Sequence, residues 1–121
     1  MGLALAELLL GEGAEVTIAG RSPERLSTAQ AALARTGPVR TIAVDITQED
    51  QVMRLFQECG MLDHIVTTAA DIEGAYQLLP ALDIAAARKV VDSKFIGPLL
   101  LAKHGAQRLS QKGSITFTSG I

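Results

Sequence analysis

The feature that most constrains this chain is its alternation of short β-branched runs with longer stretches of helical character. Glu15-Val-Thr-Ile-Ala-Gly20, Val39 to Val44, Leu62-Asp-His-Ile-Val-Thr67 and Gly113-Ser-Ile-Thr-Phe-Thr118 read as strands. Between them lie segments with helix signals. Leu3 to Leu10 is apolar and helical, with Gly11 and Gly13 as stops. Ser22-Pro-Glu-Arg opens a second helix, since Ser22 can cap free amides, Pro23 fits the first turn and Glu24 suits the positive end. That helix is expected to run to about Arg35, where Thr36-Gly37-Pro38 breaks it. Thr47-Gln-Glu-Asp50 resembles a capping box with Asp50 at its acidic position, opening a helix that ends before Gly60. After a turn at Thr68-Ala-Ala70 and a loop around Pro80, residues 84–109 form a long helical stretch. Parallel strands need crossovers of a dozen or more residues, usually helical, so this order predicts an α/β fold with a parallel sheet covered on both faces.

Composition narrows the reading further. A chain of 121 residues with 48% apolar and 20% charged side chains suits one globular domain. Its aromatic residues are Tyr76, Phe56, Phe95 and Phe117 alone, so the core must be built from Leu, Ile, Val and Ala. A net charge of −2 gives no electrostatic reason to expect nucleic acid or an anionic membrane as partner. Cys59 is the single cysteine, and His64 and His104 lack metal-ligand spacing, so no metal site is expected. The apolar opening run is interrupted by Glu7 and is far short of the ~20 residues a membrane span needs. It also lacks the flanks of a signal peptide. A soluble, cytoplasmic protein is the expectation.

Ligands of doubly wound sheets collect at the carboxyl ends of the strands. The segments there are Gly20-Arg21-Ser22, Asp45-Ile46, Thr67-Thr-Ala-Ala70 and Thr118-Ser119. Read in that order, and over essentially the whole chain, they resemble the strand ends of the classical short-chain dehydrogenases/reductases. The resemblance implies a Rossmann-like doubly wound sheet and a nicotinamide dinucleotide as cofactor. Gly2 matches the last glycine of the family's T-G-x-x-x-G-x-G turn, which brings a pyrophosphate onto a helix N-terminus. At the end of the second family strand, an acidic residue would bind both ribose hydroxyls and repel a 2′-phosphate. This chain has Gly20 there with Arg21 beside it. A guanidinium can hold a phosphate by two parallel hydrogen bonds, and Ser22 can add a hydroxyl, so NADP is favoured over NAD. Asp45, with Ile46, matches the Asp that accepts from the adenine amino group. Thr68, Ala69 and Ala70 stand where the family usually has Asn-Ala-Gly, small enough for the backbone to pass close to the cofactor.

Two residues are the candidates for the active site. Ser119 matches the Ser that hydrogen-bonds the substrate carbonyl or hydroxyl, and Lys94 stands where most members have Asn. Pro98 lacks the amide that would bond the carbonyl four residues back, so the Lys94 carbonyl is expected to be freed at a kink and could hold the family's relay water. The family's opening strand and its Tyr-x-x-x-Lys are not among these residues. The fold is therefore read as a single, incomplete Rossmann-like domain over 1–121, truncated at both ends. The implied reaction is hydride transfer between the nicotinamide and a small-molecule carbonyl or alcohol, with the chain inactive alone. A homo-oligomer through the 84–109 helix is implied as well. The competing reading is a non-catalytic relative that binds nucleotide weakly or serves as an interaction protein. A receiver-type domain is disfavoured because no paired acidic residues follow an early strand, and a methyltransferase because Gly20-Arg21 replaces an acidic ribose ligand. Without the first strand, Glu15–Gly20 and Leu62–Thr67 each lose a neighbour. A longer chain, direct pairing of the two, or a second copy could supply one.

Overall fold

A computed structural model describes residues 1–119, which divide into two compact units, one of residues 1–45 and one that begins at Ile46. In the first unit, α1 (Gly2–Gly11), β1 (Val16–Gly20), α2 (Pro23–Leu33) and β2 (Val39–Ala43) follow in order. β1 and β2 are parallel, in register from Val16 opposite Val39 to Gly20 opposite Ala43. Ala6, Leu10 and Leu33 form the buried centre of this unit, with Val16, Ile18 and Val39 packed against it. α2 begins as its first residues predict. Ser22 is extended and accepts from the Arg25 amide at 3.2 Å, Pro23 occupies the first turn, and Glu24 lies in that turn. Hydrogen bonds from its own backbone and from the Ser22 hydroxyl hold the Glu24 carboxyl below the usual glutamate range.

The second unit contains α3 (Glu49–Cys59), β3 (Leu62–Thr67), α4 (Ile84–Val91), a π-helical turn (Asp92–Ile96), α5 (Gly97–Gly105) and β4 (Leu109–Phe117). Val52, Leu55 and Phe56 on α3 are buried at the i, i+3, i+4 spacing of one helix face. The capping box at Thr47 is not formed: α3 starts at Glu49, and its cap residue Gln48 makes no side-chain cap bond. Asp50 is one methylene shorter than the Glu this motif prefers, and it pairs instead with Arg54 at 3.3 Å along the helix. α3 ends at Gly60, whose φ of 69° is costly for residues with a Cβ. Glu49 ties α3 to α5, because one of its oxygens receives Lys103 Nζ at 2.6 Å and lies 2.7 Å from His104 Nε2. Lys103 first, and then His104, lower the Glu49 carboxyl pKa.

The predicted long helix is a continuous helical run from Ile84 to Arg108, broken in character rather than in path by the π turn and a closing 3₁₀ turn. β4 begins earlier than predicted, at Leu109. Leu62 faces Leu109 while His64 faces Ser114, so an irregularity lies between those pairs before regular parallel register resumes as far as Thr67 and Phe117. This irregularity hid the strand's first residues from the pattern of alternation. Each parallel pair is a two-stranded sheet of its own. Among the described residues, no helix is long and apolar enough to cross a membrane.

Candidate functional site

Parallel pairing decides which residues share an edge. Because β1 and β2 run the same way in register, Arg21 and Asp45 both follow the carboxyl ends of strands in the first unit. The Val44 amide donates to the Gly20 carbonyl at 2.9 Å and extends that ladder toward Asp45. Arg21 is exposed and Asp45 half-buried. Ser22 is engaged locally: its hydroxyl receives the Arg25 amide and donates to Glu24 Oε2 at 3.0 Å. Gly2 is the exposed first residue of α1, where Met1 supplies no side-chain cap.

The corresponding edge of the second unit is more densely connected. Thr67 is buried and its carbonyl accepts two bonds, from the Thr118 amide at 3.2 Å and the Thr118 hydroxyl at 3.1 Å. The Thr67 hydroxyl accepts from the Ala69 amide at 3.3 Å, which shapes the turn through Thr68, Ala69 and Ala70. That turn is anchored one residue later, where the Asp71 amide donates to Ser93 Oγ at 2.9 Å. Ser93 is 6% exposed and passes its own proton to the Val90 carbonyl at 3.3 Å. Lys94, the next residue, sends Nζ to the Thr118 carbonyl at 3.1 Å. Ser119 follows directly and is exposed.

The kink expected at Pro98 takes the form of the π turn, in which the Gly97 amide reaches back to the Asp92 carbonyl. Pro98 offers no amide to the Lys94 carbonyl. Gly97 is needed for space as well, since a Cβ there would stand 2.7 Å from Ile46 Cδ1. The Ile46 side chain therefore packs over the π turn. The structure thus brings Thr68, Ala69, Ala70, Lys94 and Ser119 to one edge of the second unit, and Arg21, Ser22 and Asp45 to one edge of the first.

The sequence put Thr67 and Thr118 at strand ends without giving either a role, and it gave none to Ser93. Their signal was a hydroxyl at the end of each strand and beside Lys94, but a hydroxyl alone does not announce which carbonyl it will reach. Among the described residues, no group of three or more His, Cys, Asp or Glu side chains could hold a metal ion.

A family model described as Enoyl-(Acyl carrier protein) reductase matches residues 1–121. A short-chain dehydrogenase/reductase of Stachybotrys chlorohalonatus is 31% identical over 99% of this chain and 52% of its own length. The solved structure of a short-chain type dehydrogenase/reductase from Mycobacterium ulcerans superposes with a TM-score of 0.87 at 31% identity, covering 99% of this chain and 47% of that one. A small-chain dehydrogenase in complex with NADPH superposes with a TM-score of 0.64 at 30% identity, over 88% of this chain and 51% of that one. The chain spans about half the length of the curated relatives it matches.

Proposed function

The chain belongs to the short-chain dehydrogenase/reductase family, and from that premise we propose that it is the cofactor-binding portion of an NADP-dependent oxidoreductase. The reaction is hydride transfer between the nicotinamide and a small-molecule carbonyl or alcohol, and residues 1–121 act as one partial dinucleotide-binding domain. The observation that carries the NADP reading is Gly20-Arg21 at the carboxyl edge of a parallel pair, with no carboxylate at the strand end. A carboxylate there would repel a 2′-phosphate, whereas an exposed guanidinium attracts it and can grip two of its oxygens. The relative solved with NADPH supports the same choice.

The donor and acceptor types along these edges suit such a cofactor. Arg21 would hold the phosphate, and Ser22, whose hydroxyl caps α2 and donates to Glu24, would add a hydroxyl beside it. Asp45 would accept from the adenine amino group, with Ile46 beside it. Thr68, Ala69 and Ala70 would let the backbone pass close, in a turn held by Thr67, and Gly2 would let α1 begin against phosphate. When bound, NADPH supplies the hydride. Ser119 would donate to or accept from the substrate oxygen, and the Lys94 backbone carbonyl would hold a water. Val91, Phe95 and Leu99, at four-residue spacing and 54%, 64% and 53% exposed, support association of copies through this helical run. The proposed setting is the cytoplasm.

This chain holds one tyrosine, Tyr76, with Pro80 rather than a lysine four residues on. Residues 1–121 by themselves supply no Tyr–Lys acid/base pair for Ser119, so a 121-residue polypeptide is expected to bind NADPH without turning it over. A fluorescence titration of the 121-residue chain tests this. Saturable enhancement with NADPH, weaker with NADH and without coenzyme consumption across a panel of carbonyl compounds, is expected. No enhancement, or consumption of NADPH, would contradict it.

A further inference from the structure

Ser93 and Lys94 are consecutive residues of the π turn, yet they reach two different strand ends. Ser93 Oγ accepts the Asp71 amide, just past β3, at 2.9 Å, and Lys94 Nζ donates to the Thr118 carbonyl, just past β4, at 3.1 Å. In a regular α-helix neighbouring side chains diverge by about 100°, and the extra residue of a π turn alters where they point. Pro98 and Gly97 hold that turn in place. Pro98 provides no amide, and Gly97 leaves space for Ile46 at 2.7 Å from where a Cβ would stand.

We propose that the π turn is a clamp on the carboxyl edge of β3 and β4, in which Lys94 is a positioning residue for Ser119. The reasoning is chemical. The Thr118 carbonyl and the Ser119 amide belong to one planar peptide group, so fixing the carbonyl fixes the plane from which Ser119 departs. The Thr118 amide and hydroxyl hold the other side of that residue to Thr67. Ser119 itself is exposed and follows the last residue of β4 by two positions, so the strand ladder alone does not orient it. An ammonium donor makes the stronger, charge-assisted kind of hydrogen bond, and its long stem reaches from the helical run to the strand end. Lys94 thus acts on Ser119 through the Thr118 carbonyl. The value of this clamp for catalysis rests on the functional reading above, but its geometry does not.

Nuclear magnetic resonance of the unliganded chain tests the clamp without any cofactor. Lys94→Met keeps the stem and removes the donor. In this variant the Thr118 carbonyl carbon should move upfield, and hydrogen exchange at the Thr118 amide, which is bonded to Thr67, should quicken about tenfold. Ile115, deeper in β4, should be unaffected, and Lys94→Arg should restore both signals. An unmoved Thr118 carbonyl, or an effect spread evenly to Ile115, would overturn the proposal. Should Lys94→Met fail to fold, the unaltered chain still decides. A through-hydrogen-bond coupling between Lys94 Nζ and the Thr118 carbonyl carbon is predicted, and its absence overturns the clamp. A clamp confirmed in a chain that ignores NADPH would refute the functional reading alone.

Discussion

Gly105 shows how a single residue sets the distance between helix and sheet. A Cβ at this position would stand 2.6 Å from Ile65 Cδ1 and 2.7 Å from Phe56 Cζ. Both neighbours are buried, at 8% and 3% exposure, so neither can swing into solvent to make room. Gly105→Ala is therefore expected to lower stability by about 1–3 kcal/mol through overpacking, although alanine is the better helix former. Urea unfolding should show a lower midpoint with an unchanged slope, and an unchanged midpoint would mean that β3 and α5 can part without cost. Contacts of this kind were not legible in the sequence. Gly105 read there only as one position in a long helical stretch, because the pattern of apolar residues says which face is buried but not how close the neighbour lies. Arg21 and Ser119 were legible, since their positions follow from strand ends alone. Ser93 was not, since its partner, Asp71, is reached only through the π turn.

At the scale of elements, the two helix starts make a natural comparison. Ser22 and Thr47 carry the same expectation of a hydroxyl cap, but only Ser22 fulfils it, by accepting the Arg25 amide. At Thr47 the helix begins two residues later, and the Thr47 hydroxyl instead lies 3.4 Å from Gln48 Nε2. Ser22→Ala should accordingly destabilise the first unit by about 1 kcal/mol, the cost of a lost N-cap. Thermal unfolding of the variant checks this, and an unchanged midpoint would contradict the assignment of the cap. Element type was readable nearly throughout, because helix and strand periods differ and caps and glycines punctuate them. Boundaries failed where local rules compete. β4 starts four residues early across an irregular stretch that spoils its alternation, and the proline kink became a π turn because Gly97 could bond one residue further back.

For the molecule as a whole, the alternation of elements led to the α/β class and the parallel pairing within each sheet, and family membership followed from the strand ends. That β1 and β3 flank a further strand in the family's order could be inferred, but how the strands of residues 1–119 group into sheets could not. Unpaired strand edges can be met in several ways of similar cost, and local patterns do not choose among them. In each unit the described strands form a two-stranded parallel sheet. In the proposed function Arg21, at the carboxyl end of β1, decides the coenzyme, which makes coenzyme preference the central claim. Calorimetric titration of NADPH and NADH into the chain and into Arg21→Ala tests that claim most directly. Loss of one charge-assisted phosphate contact should weaken NADPH by about tenfold or more while leaving NADH unchanged, so that the preference collapses toward unity. A preference for NADPH that survives Arg21→Ala, or equal binding of the two coenzymes by the unaltered chain, would contradict it.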